Sequence, residues 1–374
     1  MTECASRTKE CACGADKALV YGRRPADVKV LRLHKPFDMR YSDEPVPEIG
    51  PDDVLLRVGS VGVCASDVHY YREGRIGDQV VEKPIILGHE FSAVVAAVGD
   101  RVRTLQEGAR VAVEPGKPCG ECRPCRQEHI NLCLNIVFFG TPPVDGCLRE
   151  YLAWPADLCV PIGDSVSLDE AAMIEPLAVG VYAVDLAEIA GGGSVAVLGL
   201  GAIGLSVLQA ARVAGAGTII ATDPIPERRA LAESLGASLA VDPSSGESTK
   251  AILNATDGGA EVVFECAGMP DAVWQTAEVA GPKGRVVIVG IPEEDEYRFC
   301  GSLSRRRELT VQFVRRSKNA AERCAEMIER RLVDVKSYVT HTFPFDEAAN
   351  AFELAMEKRD GVVRAVIRVS EQDG

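Results

Sequence analysis

The chain has 374 residues, 47% of them apolar and 26% charged, with a net charge of −14. That length suggests two or three domains with ample material for a core, and the acidic balance argues against a nucleic-acid or anionic-membrane partner. Thirteen cysteines, an odd number, exclude complete pairing; with no N-terminal apolar stretch resembling a signal peptide, the expected setting is a reducing, cytoplasmic compartment where thiols serve metals or cores.

Residues 1–27 hold Cys4, Cys11 and Cys13 in a polar, weakly patterned context and read as a loose extension, with no fourth ligand nearby to complete a metal site. From Val28 to Val113, short runs such as VKVLRL, DVLLRVGSVGV and SAVVAAVG are cut by Gly and Pro. This predicts a mostly antiparallel, barrel-like β domain. Glu114–Val137 is a cysteine cluster. From Gly193, strands alternate with helical stretches: SVAVLGL, GTIIATD, SLAVD, EVVFECAG, GRVVIVG and ELTVQFV. That alternation predicts a parallel sheet with helices on both faces. The apolar window Val195–Ala211 reads as a buried strand entering a buried helix, not a membrane span. The closing strand VVRAVIRV is expected to return to the first domain. Two basic runs, Arg305–Arg307 and Arg315–Arg316, are either solvated turns or face an anionic ligand.

VAVLGLGAIGLSVLQAARVAG sets Gly199, Gly201 and Gly204 at a strand-to-helix junction. The first glycine permits the tight turn, the second the approach of a pyrophosphate, and the third close packing of helix on strand; the phosphates then sit at a helix N-terminus. Asp223 ends the next strand, where a carboxylate accepts from ribose hydroxyls and repels a 2′-phosphate. This favours NAD over NADP. Arg228 can pack on the adenine, bond the ribose or admit a phosphate.

Cys119, Cys122, Cys125 and Cys133 are spaced as four thiolates of a closed structural zinc site. A ferredoxin-type cluster would need a shorter last gap and a following proline. His129 lies among them as a bystander. Elsewhere, PIILGHEF places His89 beside Glu90. Adjacent side chains on a strand point to opposite faces, so the chain must bend for both to aim at one point. With Cys64 of VGVCASDVHYY they supply a thiolate, an imidazole and a carboxylate, the pattern of a catalytic zinc with one place open.

VCASDVHYYREGRIG, LGHEF, the four-cysteine lobe, IEPLAVGVYA and VLGLGAIG occur in order. On these motifs the chain from about Val28 onward resembles the zinc-dependent medium-chain dehydrogenases, nearest the sorbitol/polyol (L-iditol 2-) dehydrogenase branch. The resemblance implies an α/β chain in which a GroES-like β-barrel catalytic domain spans 28–177 and is completed by 316–374. A Rossmann, doubly wound coenzyme domain would span 178–315. It implies that Cys64, His89 and Glu90 bind the catalytic zinc. Glu175 then ligates zinc directly or holds its water; otherwise it caps a helix. Ser66 and His69 stand where the family places a proton relay, and Tyr70 where the polyol branch has a substrate-side tyrosine. Ile203, Val289, Gly290 and Ile291 match coenzyme contacts.

Arg315 and Arg316 lie where polyol members carry an Arg-Tyr pair, and the extra cation favours a more polar or anionic substrate. The reaction implied is reversible, NAD-linked oxidation of a secondary alcohol of a polyol to a ketone, in a homodimer or homotetramer. Threonine 3-dehydrogenase and 2,3-butanediol dehydrogenase share the metal motifs, but HYYREGRIG and IEPLAVGVYA favour polyols. A non-catalytic nucleotide-binding protein would tolerate loss of the zinc ligands.

Overall fold

The computed structural model describes residues 26–292 and 295–370. The three cysteines of the extension lie outside them.

The N-terminal half is built around one strand. Asp53–Gly62 pairs antiparallel with Glu90–Val98, with Tyr151–Pro155 and with the closing strand Arg364–Arg368. Arg110–Val113, Cys159–Pro161 and Val339–Pro344 extend this into a seven-stranded sheet. Val54, Leu56, Val58, Phe91, Leu152 and Trp154 are buried together, each contributing roughly 1.5–3 kcal/mol by leaving water. The closing strand does return as expected: Val366 lies opposite Gly62. The Asp53–Gly62 and Glu90–Val98 pair slips register between Val58 and Val61. Such irregularities bend a strand and re-aim its side chains, and this one lies just before the cysteine at position 64. Beyond it Gly62 pairs with Glu90. On the other side the Val63 amide donates to the Ala365 carbonyl at 2.9 Å. Three stretches far apart in sequence therefore meet at one sheet end.

The second sheet has six parallel strands, in spatial order Leu239–Val241, Thr218–Thr222, Ser194–Leu198, Ala260–Glu265, Ala280–Ile288 and Thr310–Phe313. Chain order reverses between Ser194–Leu198 and Ala260–Glu265, the crevice where doubly wound sheets bind ligands. The central strands read as continuous apolar runs because both faces are covered. On one face the helix Ile174–Ala187 buries Leu177, Val181 and Val184 with Leu205 and Leu208 of the helix Ala202–Val213.

Two local features differ from the reading of the sequence. A helix at Ser248–Ala255 fills the connection into Ala260–Glu265; parallel neighbours need such a crossover. Arg305–Arg307 is the end of a helix, Gly301–Arg307, not a solvated turn. Arg307 donates to the carbonyls of Ala277, Glu278 and Ala280. It satisfies the C-terminal end of the helix Pro270–Val279, where a cation is favoured. No described helix is long and apolar enough to cross a membrane.

Candidate active site

The pairing of Gly62 with Glu90 brings Cys64 beside His89. Gly88 supplies the bend: its φ of +93° lies in the region that favours glycine. One ligand atom each from Cys64, His89 and Glu90 lie within 4.8 Å of one another. Cys64 precedes the helix Ala65–Glu73 as its N-cap, so the thiol sits at the positive end of the helix dipole.

Asp67 of that helix is buried and organises the cluster. One oxygen accepts from the Cys64 amide at 3.2 Å. The other accepts from the Gly88 amide at 3.0 Å and lies 3.5 Å from His89 Nδ1. With Nδ1 turned to a carboxylate, Nε2 is left for the cluster, the arrangement that orients metal-binding imidazoles. Burial disfavours the charged His89 ring, but Asp67 and Cys64 outweigh it and hold its pKa well above the usual range.

Glu90 is fully buried. Its Oε2 has no hydrogen-bond partner in the protein, and its Oε1 lies 3.0 Å from Arg364 without hydrogen-bond geometry. A buried carboxylate oxygen without a partner is costly, and a cation beside it offsets that cost. Orphaned carboxylate, thiol and oriented imidazole fit a divalent zinc. Arg364, also buried, donates to the Val63 carbonyl at 2.7 Å. Asp67 has a sequence signal, an acidic residue three after an N-cap; Arg364 has none.

Glu175 lies in the first turn of Ile174–Ala187 and outside that tight set. Burial first, then Glu90 and Glu114, push its carboxyl up to about 8, against the pull of His89 and Arg364. Ser66, His69 and Tyr70 follow one another at helical spacing on Ala65–Glu73, so Ser66 shares a face with each of the other two. His69 lines a cleft of about 500 Å³ together with Glu73, Arg75 and Ile291. The Tyr70 hydroxyl donates to Gln79 at 3.3 Å, and burial raises its pKa.

At the crevice, Gly199 has φ +97° and Gly201 caps the helix Ala202–Val213. A Cβ on Gly204 would lie 1.8 Å from the Gly199 carbonyl oxygen, so only glycine fits. Ile203 follows on the partly exposed side of the same helix. Asp223 accepts from the Leu200 amide at 2.8 Å and from the Ile225 amide at 2.9 Å. It thereby ties the fingerprint turn to the end of its own strand. Arg228 Nη1 is 3.9 Å from Asp223, and the guanidinium also donates to the Val362 carbonyl of the C-terminal segment.

A residue the motifs do not mark, Glu265, ends the strand next to the switch point. Its side chain accepts from the amides of Ala267 and Gly268, both at 2.8 Å. Its carbonyl accepts from Val289 and Gly290 at 2.8 and 3.0 Å. Ile291 beyond them is half exposed. Burial pushes the Glu265 carboxyl up to about 7, although backbone amides oppose it.

The two arginines part company. Arg315 is exposed; its carbonyl accepts from Asn131 at 2.9 Å, and its charge acts on Tyr70 and on Arg316. Arg316 takes a left-handed backbone, φ 55°, and lays its guanidinium 3.7 Å over the Phe138 ring. Phe138 in turn packs 5.5 Å from the His89 ring.

In the lobe, Cys119, Cys122, Cys125 and Cys133 also lie within 4.8 Å of one another. Their sulfurs approach to 3.4 Å between Cys122 and Cys125 and 3.5 Å between Cys119 and Cys133. Backbone amides of Leu134 and Cys125 draw the Cys122 thiol down to about 6. Burial first, then the neighbouring thiols, push Cys125 up to about 12. Four sulfurs this close together match a tetrahedral thiolate zinc site. His129 stands outside the set.

Residues 50–164 match the family model for the alcohol dehydrogenase GroES-like domain, and residues 202–331 that for zinc-binding dehydrogenases. Sorbitol dehydrogenase of Bacillus subtilis is 36% identical over 92% of this chain and 98% of its own. The putative D-xylulose reductase of Rhizobium meliloti is 38% identical over 91% of this chain and 99% of its own. Among solved structures, an Escherichia coli oxidoreductase of unknown specificity superposes with a TM-score of 0.88. It is 34% identical and covers 92% of this chain and 100% of its own.

Proposed function

Because the chain belongs to the zinc-dependent medium-chain dehydrogenases, in their sorbitol dehydrogenase branch, we propose that it oxidises a secondary alcohol of a polyol reversibly at the Cys64, His89 and Glu90 cluster. The observation that carries this is the convergence of those three ligand atoms within 4.8 Å, with one Glu90 oxygen lacking any protein partner.

Bound there, zinc supplies a Lewis acid that makes an alcohol proton easier to lose, and the nicotinamide supplies the hydride acceptor. The chain's own residues do the rest. Asp67 holds the His89 ring in the tautomer that can ligate. Ser66 receives the substrate's hydroxyl proton and passes it along the shared helix face to His69, whose side of the helix opens on the 500 Å³ cleft. A hydroxyl relays a proton without ionising, and an imidazole titrates near neutrality. Glu175, outside the tight ligand set, would hold the substrate's hydroxyl or a water there by a hydrogen bond. Tyr70 and Arg316 orient the remainder of the polyol.

On the coenzyme side, Gly199, Gly201 and Gly204 with Ile203 receive the diphosphate at the start of the helix. Asp223 takes the adenosine ribose hydroxyls, with Arg228 against it. Val289, Gly290 and Ile291 face the nicotinamide. Cys119, Cys122, Cys125 and Cys133 hold a second, structural zinc. The catalytic unit is residues 28–177 with 316–374, and the coenzyme unit 178–315.

The enzyme works in the cytoplasm, a reading supported by seven ligand residues that include five cysteine thiols. It works as a homodimer or homotetramer, a reading supported by the edge strand Thr310–Phe313 with Val311 and Phe313 exposed. Sedimentation in dilute buffer giving a monomer at all concentrations would end the oligomer reading.

The test of the function combines metal analysis with a substrate panel. Two zinc ions per chain and NAD-dependent turnover of sorbitol, xylitol or galactitol are expected. Faster turnover of threonine or 2,3-butanediol would move the assignment to those rivals. One zinc per chain, held only in the lobe, would leave a binding protein.

A further inference from the structure

The reaction above gives Arg316 only an orienting part, which leaves its charge unexplained. Its backbone takes a positive φ, and the residue is half-buried where Arg315 beside it is exposed. Its guanidinium is partly buried, with its face against Phe138 at 3.7 Å. A guanidinium stacked by its face keeps its in-plane N–H groups free. Among the described residues, no carboxylate forms an ion pair with Arg316 and no acceptor takes a hydrogen bond from it. Other arginines removed from solvent in this protein are partnered: Arg364 by Glu90 and the Val63 carbonyl, Arg228 by Asp223 and the Val362 carbonyl, and Arg149 by Glu44. Glu175, Tyr70 and Cys133 attract Arg316 without forming an ion pair or hydrogen bond with it, and Arg315 adds a like charge. Burial first, then Arg315, lower the guanidinium to about 10, so it keeps its charge at neutral pH.

We infer that the substrate is an acidic polyol, a hydroxylated chain ending in a carboxylate or a phosphate, and that Arg316 binds the anionic end. This rests on the dehydrogenase reading above and narrows its substrate class. A partly desolvated cation without a counter-ion is costly, and a ligand anion removes that cost where a neutral hydroxyl does so only weakly. Hydrogen bonds to a charged partner exceed neutral ones by roughly tenfold in binding. The planar fork accepts carboxylate and phosphate oxygens alike in a bidentate manner.

The reach also fits. Phe138 is the shared neighbour, 3.7 Å from the guanidinium carbon and 5.5 Å from the His89 ring. Arg316 and the metal ligand can be no farther apart than those two distances laid end to end, a span suited to an acyclic sugar chain. Within that bound the anion can sit up to several carbons from the carbinol that is oxidised.

The experiment compares kcat/KM with NAD for a hexitol, a hexonate and a hexitol monophosphate, in the wild type and in Arg316→Gln. At least one acid is expected to exceed the hexitol by tenfold or more, and R316Q should cut that acid-to-hexitol ratio at least tenfold. Which acid leads tells carboxylate from phosphate. A wild-type preference for the hexitol overturns the proposal and leaves the dehydrogenase reading standing; so does an acid preference that survives R316Q. Absence of turnover with all three overturns the proposal; if xylitol, threonine and 2,3-butanediol are also inert, the dehydrogenase reading falls with it. If R316Q does not fold, Arg316→Lys is read in the same way: it keeps the charge but loses the fork, so an intermediate ratio is expected and the wild-type ratio overturns.

Discussion

Asp67 stands 3.5 Å from His89 through the oxygen that also accepts the Gly88 amide, while its second oxygen holds the amide of Cys64. One buried carboxylate thus fixes two of the three clustered ligand residues, Cys64 and His89, which lie 25 positions apart in the chain. Asp67→Asn keeps the amide contacts in part but weakens the bias on the imidazole. Zinc affinity at the catalytic site should fall roughly 10- to 100-fold. Competition with a chelator measures this, and the lobe zinc serves as the internal reference. Equal affinity in variant and wild type would remove Asp67 from the site.

Ser66→Ala deletes the hydroxyl of the relay but touches no metal ligand. Turnover should fall by roughly 10²- to 10⁴-fold if the step depends on this group, with zinc content intact. A variant with undiminished kcat would place the proton's exit elsewhere.

Asp223→Ser removes the charge that repels a 2′-phosphate. The ratio of kcat/KM for NAD over NADP should narrow. Asp223 also accepts the Leu200 and Ile225 amides, so the thermal midpoint should drop as well. A lowered midpoint with an unaltered coenzyme ratio would assign Asp223 to the turn alone.

Glu265 gives a pH dependence of stability. Its folded pKa, about 7, is raised above the ordinary 4.5 by burial. Between these values the folded state binds more protons than the unfolded state, so stability falls as pH rises through that window. At about 1.4 kcal/mol per unit, the loss is roughly 3 kcal/mol. Glu265→Gln imitates the protonated acid and should stabilise the protein at pH 8 relative to wild type more than at pH 5. Denaturant midpoints at the two pH values decide it; parallel curves would show that the carboxyl does not titrate there.

Cys125→Ser should cost the lobe its zinc and leave the catalytic one. Metal content should go from two to one per chain, with a lower thermal midpoint. Retention of both ions would mean that the lobe thiols are not the ligands.

Much of this could be read along the chain. Ligand spacings in the lobe, the glycine triplet and the alternation of strand and helix are short-range patterns, set by local geometry. A reader of the sequence could also infer that His89 and Glu90 need a bend, and Gly88 provides it. The basic runs were less legible. Arg307 proves to serve the carbonyls of a helix about 30 positions away, and nothing in RRR distinguishes that use from solvation.

Local pattern thus carried the lobe's cysteine spacing, the bend at His89 and Glu90, the strands buried on both faces and the glycine turn expected to meet a dinucleotide's phosphates, because each follows from residues close together in the chain. The folded chain alone settled that Arg364 faces Glu90, that Asp67 serves both Cys64 and His89, and that Arg316 stacks on Phe138, the neighbour of His89. Those relations depend on strand pairings such as Gly62 with Glu90 and Gly62 with Val366. A one-residue change in such a register sends every side chain to the opposite face, and local pattern carries no record of it.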